Sequence, residues 1–285
     1  MGGASGNLAS KVDQKRDELT KTGRRVAQFL LAHPEDVAFG TVADVAGRCG
    51  VGVASVHRLA VQLDYTGFAQ LQEAVRSEMT KRLRPSAEKI RAGSSGDIVE
   101  RVLSTEAQNI ESTLRAVDRS SLAAMVKMLI DHKRRVLVAS GESSSGVMSQ
   151  FAAEMSTLRP EVEMIRGNPV AAAAQVAAAR RGDMMVVVDF HRYDAWLIDV
   201  VAQAERTGLH VWVVSDSRLS PLAKGAQHCF EVSAESVSPF DSHVGTLVFL
   251  GLVVAMVAES TRSTATKRVD SVEKAWREGG LLRES

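Results

Sequence analysis

The stretch TVADVAGRCGVGVASVHRLAVQL, Thr41 to Leu63, decides how the first part of the chain is read. Thr41 with Asp44 three residues on has the form of a capping box, and Val42, Val45, Ala46 and Cys49 follow at helical spacing. Gly50 closes that helix, since glycine takes positive φ at no steric cost. A second helix is predicted from about Val53 to Leu63. Ala46 is small enough to let the two helices cross closely, and Val45, Cys49, Val51, Val56 and Leu59 supply one buried side. This is the spacing of a helix-turn-helix. An ordinary helical hairpin shares it.

The face that this packing leaves over carries chemistry suited to base edges and phosphates. It presents Gly52, Val53, Ala54, Ser55, His57, Arg58, Val61 and Gln62. Arg pairs with guanine O6/N7 and Gln with adenine N6/N7, while small residues allow close approach to the groove. The candidate DNA contacts are Thr41, Val53, Ala54, Ser55, His57, Arg58 and Gln62. The competing reading is a solvated helix face, with Arg58 in a structural ion pair.

Working outward, the 285 residues are 45% hydrophobic and 24% charged, a composition that excludes collagenous, disulfide-scaffold and wholly disordered chains. Residues 1–84 hold 12 basic and 9 acidic side chains, net +3, and the remainder holds 23 and 25, net −2. Such a bias permits a polyanionic partner for the first part without demanding one. Cys49 and Cys229 lie far apart, lack neighbouring ligands and read as small buried hydrophobes; no metal site and no cofactor is expected. Residues 1–10 lack the apolar core of an export signal, so a reducing cytoplasm is the expected setting.

The flanks of the opening stretch read as further helices: one capped by Thr20 or Thr22 and carrying Val26, Phe29 and Leu30, and one opening after Gly67 with Phe68, Leu71, Val75 and Met79. Four short helices make the first core. Pro85, Gly93, Ser94, Ser95 and Gly96 mark a linker with one turn of partial order. The expected domains are therefore 1–84, a linker at 85–96, and 97–285.

Beyond the linker, one helix is expected to bury Ile98, Val102, Ile110 and Leu114, and another, capped by Asp118, to bury Leu122, Met125 and Leu129. Short β-rich runs then alternate with helix-length segments, at Val136 to Ala139, Val162 to Ile165, Met184 to Val188, His210 to Val214 and Cys229 to Val232. That alternation predicts an α/β domain with a mostly parallel sheet covered by helices on both faces. The uncharged stretch Ser242 to Ala258 is shorter than the about 20 residues of a membrane span, and it reads as a buried helix, with no membrane partner expected.

Several of these residues carry a family likeness. Leu19, Arg24, Arg25, Val26, Ala27, Ala32, Pro34, Val37, Ala38 and Phe39, then Val45, Ala46, Gly50, Val51, Ser55, Val56, Arg58, Leu63, Gly67, Phe68 and Leu71, resemble the opening domain of the RpiR-type bacterial transcriptional regulators. Gly52 stands where an N-capping Ser is usual, and Asp64 where a Gly usually ends the second helix. The resemblance implies that residues from about 97 form a SIS domain, the sugar-isomerase-like fold, sensing a phosphorylated sugar or related small anion. It also implies a double-stranded DNA operator as partner. Because one small domain at +3 makes few phosphate contacts, reading DNA calls for paired half-sites, hence a homodimer or homotetramer.

In the second domain, Gly141-Glu142-Ser143-Ser144-Ser145-Gly146 follows a strand and opens a helix, the architecture of an anion site in which helix N–H groups and hydroxyls converge. The alternative is a Ser/Gly turn that only caps a helix. Where the family carries a second hydroxyl-rich loop, this chain has Asp189-Phe190-His191-Arg192-Tyr193-Asp194. Arg192 either clamps an anion bidentately or is neutralised by Asp189 and Asp194. Ser215 and His243 fall at a strand end and a helix start, where open parallel sheets place ligands. The candidate effector contacts are Ser143, Ser144, Ser145, Arg192, Tyr193, Ser215 and His243. No catalytic residues are assigned. The competing reading, a sugar-phosphate isomerase, would draw its base from Glu142, His191 or His243, no two of which form a recognisable pair by spacing.

Overall fold

Five short strands, β1 Val136–Ser140, β2 Val162–Met164, β3 Met184–Val188, β4 His210–Ser215 and β5 His228–Glu231, form one wholly parallel sheet in the order β2-β1-β3-β4-β5. They belong to a computed structural model that describes residues 8–16, 18–83, 86–92, 96–165, 168–191, 193–218, 220–224 and 226–281. The main division of the chain into two compact units falls at residues 93–94.

The first unit is helical: α1 Leu8–Gln14, α2 Lys21–Ala32, α3 Pro34–Phe39, α4 Val42–Cys49, α5 Val53–Gln62, α6 Phe68–Leu83 and α7 Ser86–Ala92. Val26, Leu30, Val37, Val45, Val56, Leu59, Leu63 and Leu71 fill its core. Of the two candidate caps for α2, Thr20 serves, accepting from the Gly23 N–H at 3.1 Å. Within residues 1–84, two helices exceed the four expected. In α1, Leu8 and Val12 are spaced four apart and both buried, a pair too short to stand out in a Gly/Ser/Ala-rich segment. Pro34 ends α2 but also starts α3, because its missing N–H costs nothing at a first helical position. The linker expectation also needs correction. Ala87, Glu88, Lys89 and Arg91 are good helix formers, and Ser86–Ala92 is a helix rather than one loose turn.

The second unit adds α8 Ile98–Ala116, α9 Arg119–Leu129, α10 Ser145–Leu158, α11 Pro169–Ala177, α12 Ala195–Thr207, α13 Val244–Ser260 and α14 Arg262–Glu278. Alternate residues of each central strand face opposite layers. Val136, Val138, Val186 and Trp212 pack with α9, α10 and α13, while Leu137, Ala139, Met185, Val187 and Val213 pack with α11 and α12. Burial on both faces is why β3 reads as an unbroken apolar run. Arg159 is fully buried among backbone carbonyls, donating from Nη1 to Leu129 O at 2.5 Å and from Nε to Pro160 O at 2.9 Å.

Two further expectations change here. On α8 the stripe Ile98, Val102 and Leu114 is exposed and Ile110 half-buried; the residues that α8 buries are Asn109 and Thr113. Cys49 is buried, but Cys229, on a strand at the sheet's edge, is only half-buried. The apolar stretch forms α13, with Phe249, Leu250, Val253 and Val257 in the core. Among the described residues no single helix is long and apolar enough to cross a membrane.

Candidate DNA-binding face and effector site

The corner between α4 and α5 is fixed from both sides. Thr41 accepts from the Asp44 N–H at 3.2 Å, while the Asp44 carboxylate accepts from the Thr41 hydroxyl at 2.7 Å and from the Thr41 N–H at 2.8 Å, and the bonds it accepts hold that carboxyl below its ordinary range. At the other end Gly50 sits in the left-handed region, φ 61°. The Arg25 guanidinium forks onto the carbonyls that α4 leaves unpaired, with Nε 2.6 Å from Cys49 O and Nη2 2.7 Å from Gly50 O. A Cβ on Gly50 would stand 2.6 Å from Nη2, a second reason for glycine there. Asp64 takes φ 62° just after α5, so aspartate fills the left-handed position that Gly usually holds. Lys11 donates to Leu63 O at 3.2 Å and lies 4.1 Å over the Tyr65 ring, tying α1 to the end of α5.

With Val56, Leu59 and Ala60 turned inward, α5 presents Val53, Ala54, His57 and Arg58 to solvent and Ser55 and Gln62 partly so. The six candidate contacts on α5 therefore share one helix. Gly52 stands at the N-cap without a side-chain cap, and the His57 ring leans over Gly67. Thr41 is exposed, but its hydroxyl also donates to Asp44 Oδ2 at 2.7 Å.

In the sheet, connections run opposite ways from β1 and β3, so the loops after these two strands meet at the switch point, where α/β sheets bind ligands. Gly141 packs directly on the Asp189 carboxylate. Glu142–Ser144 is a single 3₁₀ turn leading into α10. Ser144 is fully buried at the N-cap of α10, yet its hydroxyl makes no capping bond and has no partner among the described residues. Ser143 is exposed and Ser145 half-buried.

The second loop folds around its first residue. Asp189 accepts from Phe190 N–H at 2.9 Å and Asp194 N–H at 3.0 Å, and burial pushes its carboxyl up to about 6 against those bonds. Asp194 accepts from Glu142 N–H at 2.9 Å, joining the two loops. His191 adopts φ 51°, and its Nδ1 lies 3.2 Å from Asp241 and 3.5 Å from Asp216. Tyr193 donates to Asp216 at 3.0 Å. Arg192 lies outside the described residues. Ser215 is fully buried and its hydroxyl donates to Asp189 O at 2.8 Å, so it positions the loop rather than reaching a ligand. His243 stands at the start of α13, its ring 5.3 Å from Phe190; burial lowers its pKa, opposed by Asp241 and by a hydrogen bond with the Ser143 backbone.

The structure thus brings Ser143, Ser144, Ser145, Tyr193 and His243 to one end of the sheet. Asp216 and Asp241, absent from the sequence candidates, join His191 there. Their signal was position alone: Asp216 directly follows β4, and Asp241 lies just before α13. Among the described residues no group of three or more His, Cys, Asp or Glu side chains is arranged to hold a metal ion.

Comparison with known proteins assigns both units. Residues 6–82 match the helix-turn-helix domain of the rpiR family, and residues 128–256 match the SIS domain. The chain is an RpiR-type regulator. An HTH-type transcriptional regulator of Haemophilus influenzae is 22% identical to this RpiR-type chain over 273 residues, spanning 92% of this chain and 94% of that protein. The bifunctional protein glk of Paraburkholderia xenovorans is 26% identical over 96% of this chain, which spans only 43% of that longer protein. Among solved structures, Vibrio vulnificus NanR complexed with ManNAc-6P shares the fold, with TM-score 0.58 at 20% identity over 98% of this chain and 100% of that one.

Proposed function

We propose that this RpiR-type regulator reads an operator through residues 1–84 and senses a phosphorylated sugar, or a related small anion, through residues 97–285, with 85–96 connecting them. The observation that carries the sensing half is Ser144, a fully buried hydroxyl without a partner among the described residues, at the N-terminus of α10. Backbone N–H groups there favour negative charge, and a phosphate oxygen would complete the hydroxyl's bonding. Ser143, Ser145, Tyr193 and His243 line the same end of the sheet, and Arg192, in the loop between His191 and Tyr193, would add a bidentate charge. The sugar phosphate named with NanR supports the ligand class.

For DNA, the exposed face of α5 supplies Val53, Ala54, Ser55, His57, Arg58 and Gln62, with Thr41 at the start of α4. Two copies or four reading paired half-sites supply the affinity that one domain lacks. The protein acts in the cytoplasm as a binder and not as a catalyst. The relative named as a transcriptional regulator, matching over nearly the whole chain, supports binding over catalysis.

Selection of DNA from a random pool by the full chain, followed by footprinting, should return a two-part site. A thermal-shift panel of sugar phosphates should reveal a ligand adding about 2.7 kcal/mol of stability at a hundredfold its Kd. Absence of sequence-selective DNA binding, or turnover of a sugar phosphate, would overturn the reading.

A further inference from the structure

Residues 232–243, the segment between β5 and α13, form a wall that brings Asp241 against His191 and His243 against the Ser143 backbone. This segment has no regular structure of its own. It is held by α8. Ser233 donates its hydroxyl to Asn109 Oδ1 at 2.7 Å and its N–H to Thr113 Oγ1 at 2.9 Å. Asn109 donates to Glu235 O at 2.8 Å and to Glu106 Oε2 at 2.8 Å. Ser242, beside Asp241, donates to the same Glu106 oxygen at 2.6 Å. Gly245 follows, with no room for a Cβ between Ser233 O and Thr113 Oγ1.

The contact is unusual in kind. Asn109 and Thr113 are the residues α8 buries, while Ile98, Val99, Val102, Leu103 and Leu114 stay exposed. An apolar seam tolerates sliding, because dispersion is not directional. Hydrogen bonds hold one register, since they weaken steeply with angle and distance. A shift of one turn, about 5.4 Å, would break every bond in the set. α8 is also the first helix of the second unit.

We propose that Glu106 is a positioning residue: its carboxylate, shared by Ser242 and Asn109, ties the state of the Asp241–His191 wall to the seating of α8, and so passes effector occupancy to the helix that follows the DNA-reading unit. This rests on the reading of that wall as part of the effector site.

Hydrogen exchange of amides 98–116 in the full chain tests the tie with neither effector nor operator. Asp241→Asn, which removes the charge facing His191, should speed exchange in α8 about fivefold, the effect of losing roughly one hydrogen bond. In a Glu106→Ala background the same substitution should have no further effect. Glu106→Gln, which keeps an acceptor oxygen, should restore the response. Ser242→Ala, cutting the tie from the other side, should abolish it as Glu106→Ala does. Exchange in α8 that ignores Asp241→Asn, or responds equally with and without Glu106, overturns the proposal. Since no ligand is used, that failure is distinct from failure to bind N-acetylmannosamine 6-phosphate or other sugar phosphates. Where that probe binds, it should change DNA affinity by about 5–150-fold in the wild type and by less than twofold in Glu106→Ala.

Discussion

Gly141 lies so close to the Asp189 carboxylate that a Cβ would overlap both of its oxygens. The first loop's backbone therefore rests on the side chain around which the second loop is wound. Gly141→Ala must push that carboxylate off the Phe190 and Asp194 N–H groups or displace the backbone, and overpacking of this kind costs about 1–3 kcal/mol. Chemical denaturation should show the loss, and Gly141→Ala combined with Asp189→Gly should recover part of it.

Asp189 also predicts a pH dependence. Its carboxyl is raised from 3.8 to about 6, chiefly by burial. A raised acid binds protons more tightly when folded, so the stability it confers is present below pH 3.8 and is lost as pH rises through 6. Asp189→Asn carries no such dependence. The stability of wild type minus that of the variant should fall between about pH 4 and pH 6 and stay level above; a flat difference across that range would contradict the assignment.

Arg25 predicts a split between charge and geometry. Lysine keeps the charge but cannot fork onto two carbonyls. Arg25→Lys should lower the stability of the first unit by about 1–2 kcal/mol, since a charged bond to a carbonyl at the end of α4 is lost. DNA affinity should fall with it, because the same bonds hold the corner from which α5 projects.

Arg58→Ala should behave oppositely. Arg58 is exposed on α5, so the variant should fold with unchanged midpoint yet bind a selected operator about 1–3 kcal/mol more weakly and with relaxed base preference. Unchanged footprints would return Arg58 to a structural role.

At the effector site, Arg192→Ala should reduce affinity for the ligand found by thermal shift more than tenfold, while Ser144→Ala costs at most a few-fold, a neutral hydrogen bond being worth about 1 kcal/mol. Calorimetry decides between them. The reverse ranking would put the anion wholly at the N-terminus of α10.

What the sequence made legible follows from which forces act locally. The capping box at Thr41, the turn at Gly50 and the doubly buried run of β3 are written in neighbouring residues, and each stands in the structure. α8 misled because its apolar residues obey the helical period without being buried; Asn109 and Thr113 are buried because partners more than a hundred residues away complete their hydrogen bonds. The same holds at the proposed effector site. Asp194 reaches the Glu142 N–H across 52 residues, and Asp216 and Asp241 converge on His191 only once β4 and β5 are laid side by side. Position at the end of a strand identified the neighbourhood, and long-range pairing decided which side chains occupy it.

The two outer strands carry a consequence for how copies of the protein can meet. β2 has three residues and β5 four, and Glu163 and Glu231 sit on them, Glu163 already paired with Arg135. Few ladder groups are left open at either rim, and each rim carries an acid. A neighbouring chain would find little template for extending the sheet, which guards against edge-to-edge growth into fibres.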